Sequence, residues 1–203
     1  MKHRIRFFKQ HSNETCGIAC ALILLDYYDR KVSYPTPKME AKLYKNYKSA
    51  ALKKGVPGAQ LACLLARNKL DVKLIHSSEN ILENRGGYFA PEVFDAFLSE
   101  YTAKLHEHKA LYAFEKGVDI NLETIKAELF KNRQVIVETI VPGNADGVHD
   151  HVLHWILVYG YADGEFLIVD TDYEKKTTLT EGELEAFMDT PIGKIIISVG
   201  DLK

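Results

Sequence analysis

At 203 residues with 46% hydrophobic side chains, the chain is long enough to bury one sizeable core. Its 26 basic and 28 acidic residues nearly cancel, so no electrostatic footprint for nucleic acid or an anionic membrane is present. Three cysteines, Cys16, Cys20 and Cys63, are too few and odd in number for a disulfide framework and fit a reducing, cytoplasmic setting.

The opening stretch, residues 1–17, has basic residues but no apolar run or small-residue cleavage site, and reads as mature protein. Residues 16–29 carry apolar side chains at 18, 21, 22, 25 and 28, which predicts a helix with Asn13 or Thr15 as its N-cap. The apolar run 18–25 is too short to span a bilayer. A second helix is predicted over 38–54, between Pro37 and Gly55, and a short one over 58–68 after Pro57. The lysine- and tyrosine-rich 38–54 helix reads as a solvated face without function. Residues 72–76 alternate like a strand, and 110–113 read as a short one. Between them Gly86-Gly87 reads as a turn, and 91–106 as an amphipathic helix with Phe94, Phe97 and Tyr101 in the core; another helix is expected over 122–131.

From Gln134 the pattern changes to β-branched runs, at 135–141, 152–161 and 165–170, then 176–179 and 194–199, with a small helix at 182–188. With no repeat or linker, the expectation is one α+β domain over 1–203: a helical lobe over about 1–131 and a largely antiparallel sheet lobe over about 132–203.

The segment Gln10-His-Ser-Asn-Glu-Thr-Cys16-Gly-Ile-Ala-Cys20 places a thiol at the first turn of an apolar helix. Unpaired N–H groups and the positive end of the macrodipole favour thiolate over thiol there. Gly17 keeps bulk away from the sulfur, the Cys16 N–H can donate to an oxyanion, and the Gln10 amide can join it. Cys20 and Cys63, set among aliphatic residues, read as core.

A thiolate nucleophile needs an imidazole, and the imidazole needs an orienting group. His154 opens a strand where rigid backbone can hold the ring, and Asp170 ends the next strand. If Tyr161 pairs with Glu165 across a three-residue Ala162-Asp163-Gly164 loop, Asp170 falls opposite Ile156 and shares a face with His154. A two-residue loop puts them on opposite faces unless a bulge intervenes. The same register sets Asp172 directly across from His154, as the reserve for the orienting role.

These residues together resemble the peptidase C39 family, the bacteriocin-leader peptidases and their soluble, stand-alone relatives, which are papain-like cysteine peptidases. The resemblance is carried by Gln10 and Cys16-Gly-x-Ala-Cys20 running into a helix that ends Asp-Tyr-Tyr, by His154-Trp-x3-Tyr-Gly160-Tyr, by Val169-Asp170, and by Phe187 before Gly193-Lys194-Ile-Ile-Ile. It implies a papain-like fold with the Cys16 helix packed on the sheet, and a bacterial thiol peptidase without cofactor or metal that acts on a peptide or protein. The roles it implies are Cys16 as nucleophile, His154 as general base and acid, Asp170 as orienting group and Gln10 in the oxyanion hole. Thr171 departs from the family's usual proline after the aspartate.

Three other readings compete. His149 and His151, with Asp150 or His154, have the spacing for a zinc site on an extended segment. The same Cys-His-Asp site suits an acyltransferase or deamidase, and a noncatalytic peptide-binding module retains the fold.

Overall fold

The computed structural model describes residues 4–30, 35–52, 54–142, 151–173 and 176–202, with backbone alone at 142 and 151. In chain order the elements are α1 (Cys16–Tyr27), α2 (Pro37–Tyr47), α3 (Gly58–Arg67), β1 (Leu70–His76), a 3-10 turn (Arg85–Gly87), α4 (Pro91–His108), β2 (Ala113–Glu115) and α5 (Leu122–Phe130). Then follow β3 (Gln134–Pro142), β4 (His151–Ala162), β5 (Glu165–Val169), β6 (Lys176–Thr180), α6 (Glu181–Met188) and β7 (Ile195–Asp201).

All seven strands join one sheet in the order β2-β1-β7-β3-β4-β5-β6, antiparallel except for the β1/β2 pair. The expected α+β architecture is therefore present, with the Cys16 helix packed on a largely antiparallel sheet. The C-terminal β7 inserts between β3 and β1, and so ties the strand at 70–76 into the sheet built later in the chain.

Each face of the sheet buries its own apolar cluster. On one, α1, α3 and α4 pack over Leu74, Ile136, Trp155, Leu157, Val169 and Ile197. On the other, Ile125 of α5 and Leu184 and Met188 of α6 cover Val137, Ile156, Val158 and Ile168. Strand alternation produces this split, because neighbouring residues on β3 and β4 point to opposite faces. The α1 helix is more than amphipathic: every residue from Cys16 to Leu25 is buried, as expected for a helix enclosed on all sides. Among the described residues no helix is long and apolar enough to cross a membrane.

Two predicted elements need correction. The 38–54 helix ends at Tyr47, because Glu100 of α4 takes the backbone N–H groups of Ala50 and Ala51 at 3.0 and 2.9 Å, and Ser49 those of Ala51 and Leu52. These side-chain bonds compete with helix continuation. The solvated-face reading of that helix also fails at Glu40, which is 1% exposed. The strand expected at 110–113 forms instead at Ala113–Glu115, beside β1.

The β4–β5 hairpin decides the site. Ala162 pairs with Glu165, so the loop is the two residues Asp163 and Gly164 rather than three. Both have positive φ, 55° and 83°, as a twist-matched two-residue hairpin turn requires. Taken alone, that turn separates His154 and Asp170 onto opposite faces. Between Val158 and Gly160, however, the register shifts: Gly160 pairs with Leu167 and Val158 with Ile168, leaving Tyr159 as an extra residue. This bulge restores the parity, and Leu157 pairs with Val169. Asp170, the next residue, follows opposite Ile156 on the face of His154.

Candidate active site

Three segments converge on the first turn of α1. Thr15 occupies the N-cap position, but its hydroxyl makes no cap bond and lies instead against two acceptors, the Ser12 carbonyl at 2.7 Å and the Glu40 carboxylate. Glu40 also accepts the His11 N–H at 2.9 Å, and Tyr44 donates to Glu14 at 2.7 Å. Helix α2 thus holds the 11–15 loop, leaving the first N–H groups of α1 without a side-chain cap around Cys16. Glu40 was missed in the sequence because it stands among exposed lysines.

Gly17 has a packing reason. A Cβ there would meet Leu61 Cδ1 at 2.6 Å and Trp155 Cδ1 at 3.0 Å, so the first turn of α1 lies flat against α3 and β4. Trp155 is itself fixed by donating Nε1–H to the Val56 carbonyl at 3.0 Å.

His154 lies between Cys16 and Asp170. Its Nε2 is 2.8 Å from Asp170 Oδ1, and it also shares a hydrogen bond with the Cys16 side chain. Since Nε2 is committed to the carboxylate, Nδ1 is the ring nitrogen left to serve the sulfur. Burial pushes the imidazole pKa down, but the Asp170 hydrogen bond and the hydrogen bond and charge of Cys16 outweigh it and lift the pKa to about 10.

Asp172, the reserve partner, does not reach the imidazole. Its backbone N–H donates to Asp170 Oδ1 at 3.0 Å, and its carboxylate accepts Gln10 Nε2 at 3.4 Å. Gln10 is buried and fastened to the same turn: its N–H donates to the Thr171 carbonyl at 2.9 Å, and its Oε1 accepts the Thr171 hydroxyl at 2.8 Å. Thr171 thus secures the strand end by side-chain hydrogen bonding, and couples Gln10 to the Asp170 loop.

Cys20 is a core thiol. It is fully buried with Sγ 3.5 Å from the Trp155 carbonyl, and burial, then the charges of Cys16 and Asp170, push its pKa up. Burial likewise raises that of Cys63. The zinc alternative falls on His149 and Asp150, which lie outside the described residues, and on the side chain of His151, which does too; its remaining member, His154, is bound to Asp170.

One acidic group was not anticipated. Glu138 of β3 lies opposite Trp155, next to the strand position of His154, and is 5% exposed. Burial and the Cys16 charge raise its pKa to about 8. The signal in the sequence was a single carboxylate inside Val135-Ile-Val-Glu-Thr-Ile-Val.

No family model matches the chain, and neither does any curated protein. Solved structures do. The peptidase domain of Streptococcus ComA, a bi-functional ABC transporter involved in a quorum sensing pathway, is 11% identical with a TM-score of 0.56; the match covers 98% of this chain and 100% of that one. A Bacillus anthracis protein described as a C39-like peptidase is 12% identical with a TM-score of 0.57, over 98% of this chain and 96% of the other. At these identities the likeness is one of fold, that of C39 peptidase domains, and it extends over nearly the whole chain.

Proposed function

We propose that this chain, which has the fold of a C39 peptidase domain, is a cysteine peptidase-like hydrolase that cleaves a peptide or amide bond through an acyl-enzyme on Cys16. The observation that carries the reading is the line Cys16–His154–Asp170, with Nε2 and Oδ1 at 2.8 Å, at the uncapped start of a buried helix.

In this mechanism Cys16 Sγ, as thiolate, attacks the substrate carbonyl carbon, and the carbonyl π pair moves onto oxygen. The Cys16 N–H and the Gln10 amide are the donors assigned to that oxyanion. The imidazolium of His154 protonates the departing amine as the carbon–nitrogen bond breaks, leaving a thioester. Water then attacks the thioester while neutral His154 takes its proton, and the carboxylic acid leaves as the thiolate–imidazolium pair re-forms. Asp170 keeps the ring oriented and stabilises its charge throughout.

The test is incubation with a peptide library, followed by mass spectrometry of both peptides and protein. Cleaved peptides together with an acyl mass on Cys16, both absent in Cys16→Ala, are the expected result. Cleavage that persists in Cys16→Ala contradicts the reading.

A further inference from the structure

Gln10 and Thr171, 161 positions apart in the chain, are joined at two points. The Gln10 N–H donates to the Thr171 carbonyl at 2.9 Å, and the Thr171 hydroxyl donates to Gln10 Oε1 at 2.8 Å. A third bond, from Gln10 Nε2 to Asp172 Oδ1 at 3.4 Å, holds the other end of the amide. The carboxylate settles which end is which, because it only accepts hydrogen bonds and would repel the amide oxygen if the group were turned over. Backbone, amide oxygen and amide nitrogen are thus all held by one short segment.

That segment continues from Asp170, whose Oδ1 accepts the Asp172 N–H at 3.0 Å and stands 2.8 Å from His154 Nε2. In the other direction, residues 11–15 lead from Gln10 to the first turn of α1. They are tied down by the Thr15 N–H on the Ser12 carbonyl at 3.1 Å and the His11 N–H on Glu40 at 2.9 Å. Gly17 in turn lies against Trp155, the neighbour of His154 on β4. Gln10 is therefore fastened between the strand end that carries Asp170 and the turn that carries Cys16.

The bonding leaves a specific remainder. The amide nitrogen has two hydrogens, and Asp172 takes one of them, so the second is the donor left over. Gln10 and Thr171 are both buried, and without the hydroxyl the amide oxygen loses its partner and the group is free to rotate. A donor stabilises an oxyanion effectively only when it is held in place before the charge develops.

We propose that Thr171 and Asp172 are positioning residues for the oxyanion hole: they fix the Gln10 amide so that its remaining Nε2 hydrogen is available to the substrate oxygen. The proposal rests on the reading of Cys16 as nucleophile and Gln10 as oxyanion donor. It gives the end of β5 two tasks, since Asp170 orients His154 while the next two residues hold Gln10.

The experiment compares two reactions of Cys16 in the full chain. With p-nitrophenyl acetate, Cys16 Sγ bonds to the acetyl carbon, an oxyanion forms, and its collapse expels p-nitrophenolate and leaves a thioester. With iodoacetamide, the sulfur displaces iodide from a methylene carbon and no oxyanion forms. The ratio of the two rates, with the modified residue located by mass spectrometry, reads the oxyanion hole apart from the thiolate. Gln10→Ala should lower this ratio at least roughly tenfold, the low side of what a lost oxyanion donor costs. Thr171→Val should lower it roughly tenfold, as a misplaced donor does, with alkylation unchanged. Thr171→Ser should restore the ratio, and Thr171→Val added to Gln10→Ala should cause no further fall.

An unchanged ratio in Thr171→Val, an equal loss of both reactions, or the same fall in the Gln10→Ala background overturns the proposal. Asp172→Ala covers the case in which Thr171→Val does not fold, because the position is exposed and alanine retains the N–H that Asp170 accepts. Its ratio should also fall with alkylation kept, and an unchanged ratio overturns the proposal. Failure of the premise is read separately. A ratio unaffected by Gln10→Ala removes Gln10 from the oxyanion hole, and equal alkylation of wild type and His154→Ala removes Cys16 as the nucleophile; the proposal falls with either.

Discussion

His154 Nε2 and Asp170 Oδ1 stand 2.8 Å apart because Tyr159 is an extra residue in β4. The two-residue Asp163-Gly164 turn sets one register, the bulge shifts it, and only the shifted register leaves imidazole and carboxylate on one face. Bulges recur beside active sites because they re-aim a side chain without disturbing the rest of a ladder. Here the bulge also allows Val158 and Tyr161 both to pack into the cluster beneath α5 and α6.

Asp170→Asn preserves the shape of that contact and removes its charge. The loss in kcat/KM should be on the order of 10²–10⁴. Asp170 is one of the groups that lift the His154 pKa to about 10, so without it the imidazolium loses its proton at lower pH. The alkaline limb of the pH–rate profile should therefore move downward. A limb that stays in place in the variant argues against Asp170 as the group holding the ring charged.

Glu138→Gln has a predicted signature in stability. The wild-type carboxyl, whose Oε2 has no hydrogen-bond partner among the described residues, titrates near 8 when folded, against an ordinary value of 4.5. The folded state thus favours the protonated form, and ionisation costs stability: the penalty is absent below about 4.5, grows as pH rises, and is complete above about 8. Glutamine does not ionise. Urea unfolding should show wild type losing stability relative to the variant between pH 5 and 9, by up to several kcal/mol. A difference that does not change with pH contradicts the buried, unpaired placement.

Gly17→Ala drives a methyl group into Leu61 and Trp155. Overpacking of this kind costs roughly 1–3 kcal/mol, and here it also displaces the turn that carries Cys16. The expected outcome is a lower midpoint in thermal or urea unfolding and slower Cys16 alkylation, with Leu61→Ala in the same chain recovering part of the alkylation rate. No recovery would mean that the close contact with α3 does not set the position of the nucleophile.

How far the sequence discloses this site varies by residue. Cys16 and its helix are legible, since an apolar run preceded by polar residues specifies both the element and its start. His154 and Asp170 are legible as strand ends, and the parity condition between them follows from counting, whereas the device that meets it does not. A bulge at Tyr159 depends on which residues the two clusters draw inward. The early end of α2 and the burial of Glu40 were hidden for the same reason: Glu100 and the 11–15 loop are brought there by the tertiary fold. Sheet order was beyond local pattern, because β7 comes last in the chain yet lies between β1 and β3. Glu138 was visible as a residue, but its lack of a partner is a property of everything packed around it.

The central claim is that His154 maintains Cys16 as a reactive thiolate. The most direct measurement is the rate of iodoacetamide alkylation between pH 6 and 8 in wild type and His154→Ala, with the modified residue located by mass spectrometry. Native wild type should label at Cys16 while the buried Cys20 and Cys63 stay unmodified, and His154→Ala should label at least roughly tenfold more slowly at neutral pH, as expected when a thiol loses its imidazolium partner. Equal rates in the two proteins, or labelling that falls on Cys20 or Cys63, would contradict the account.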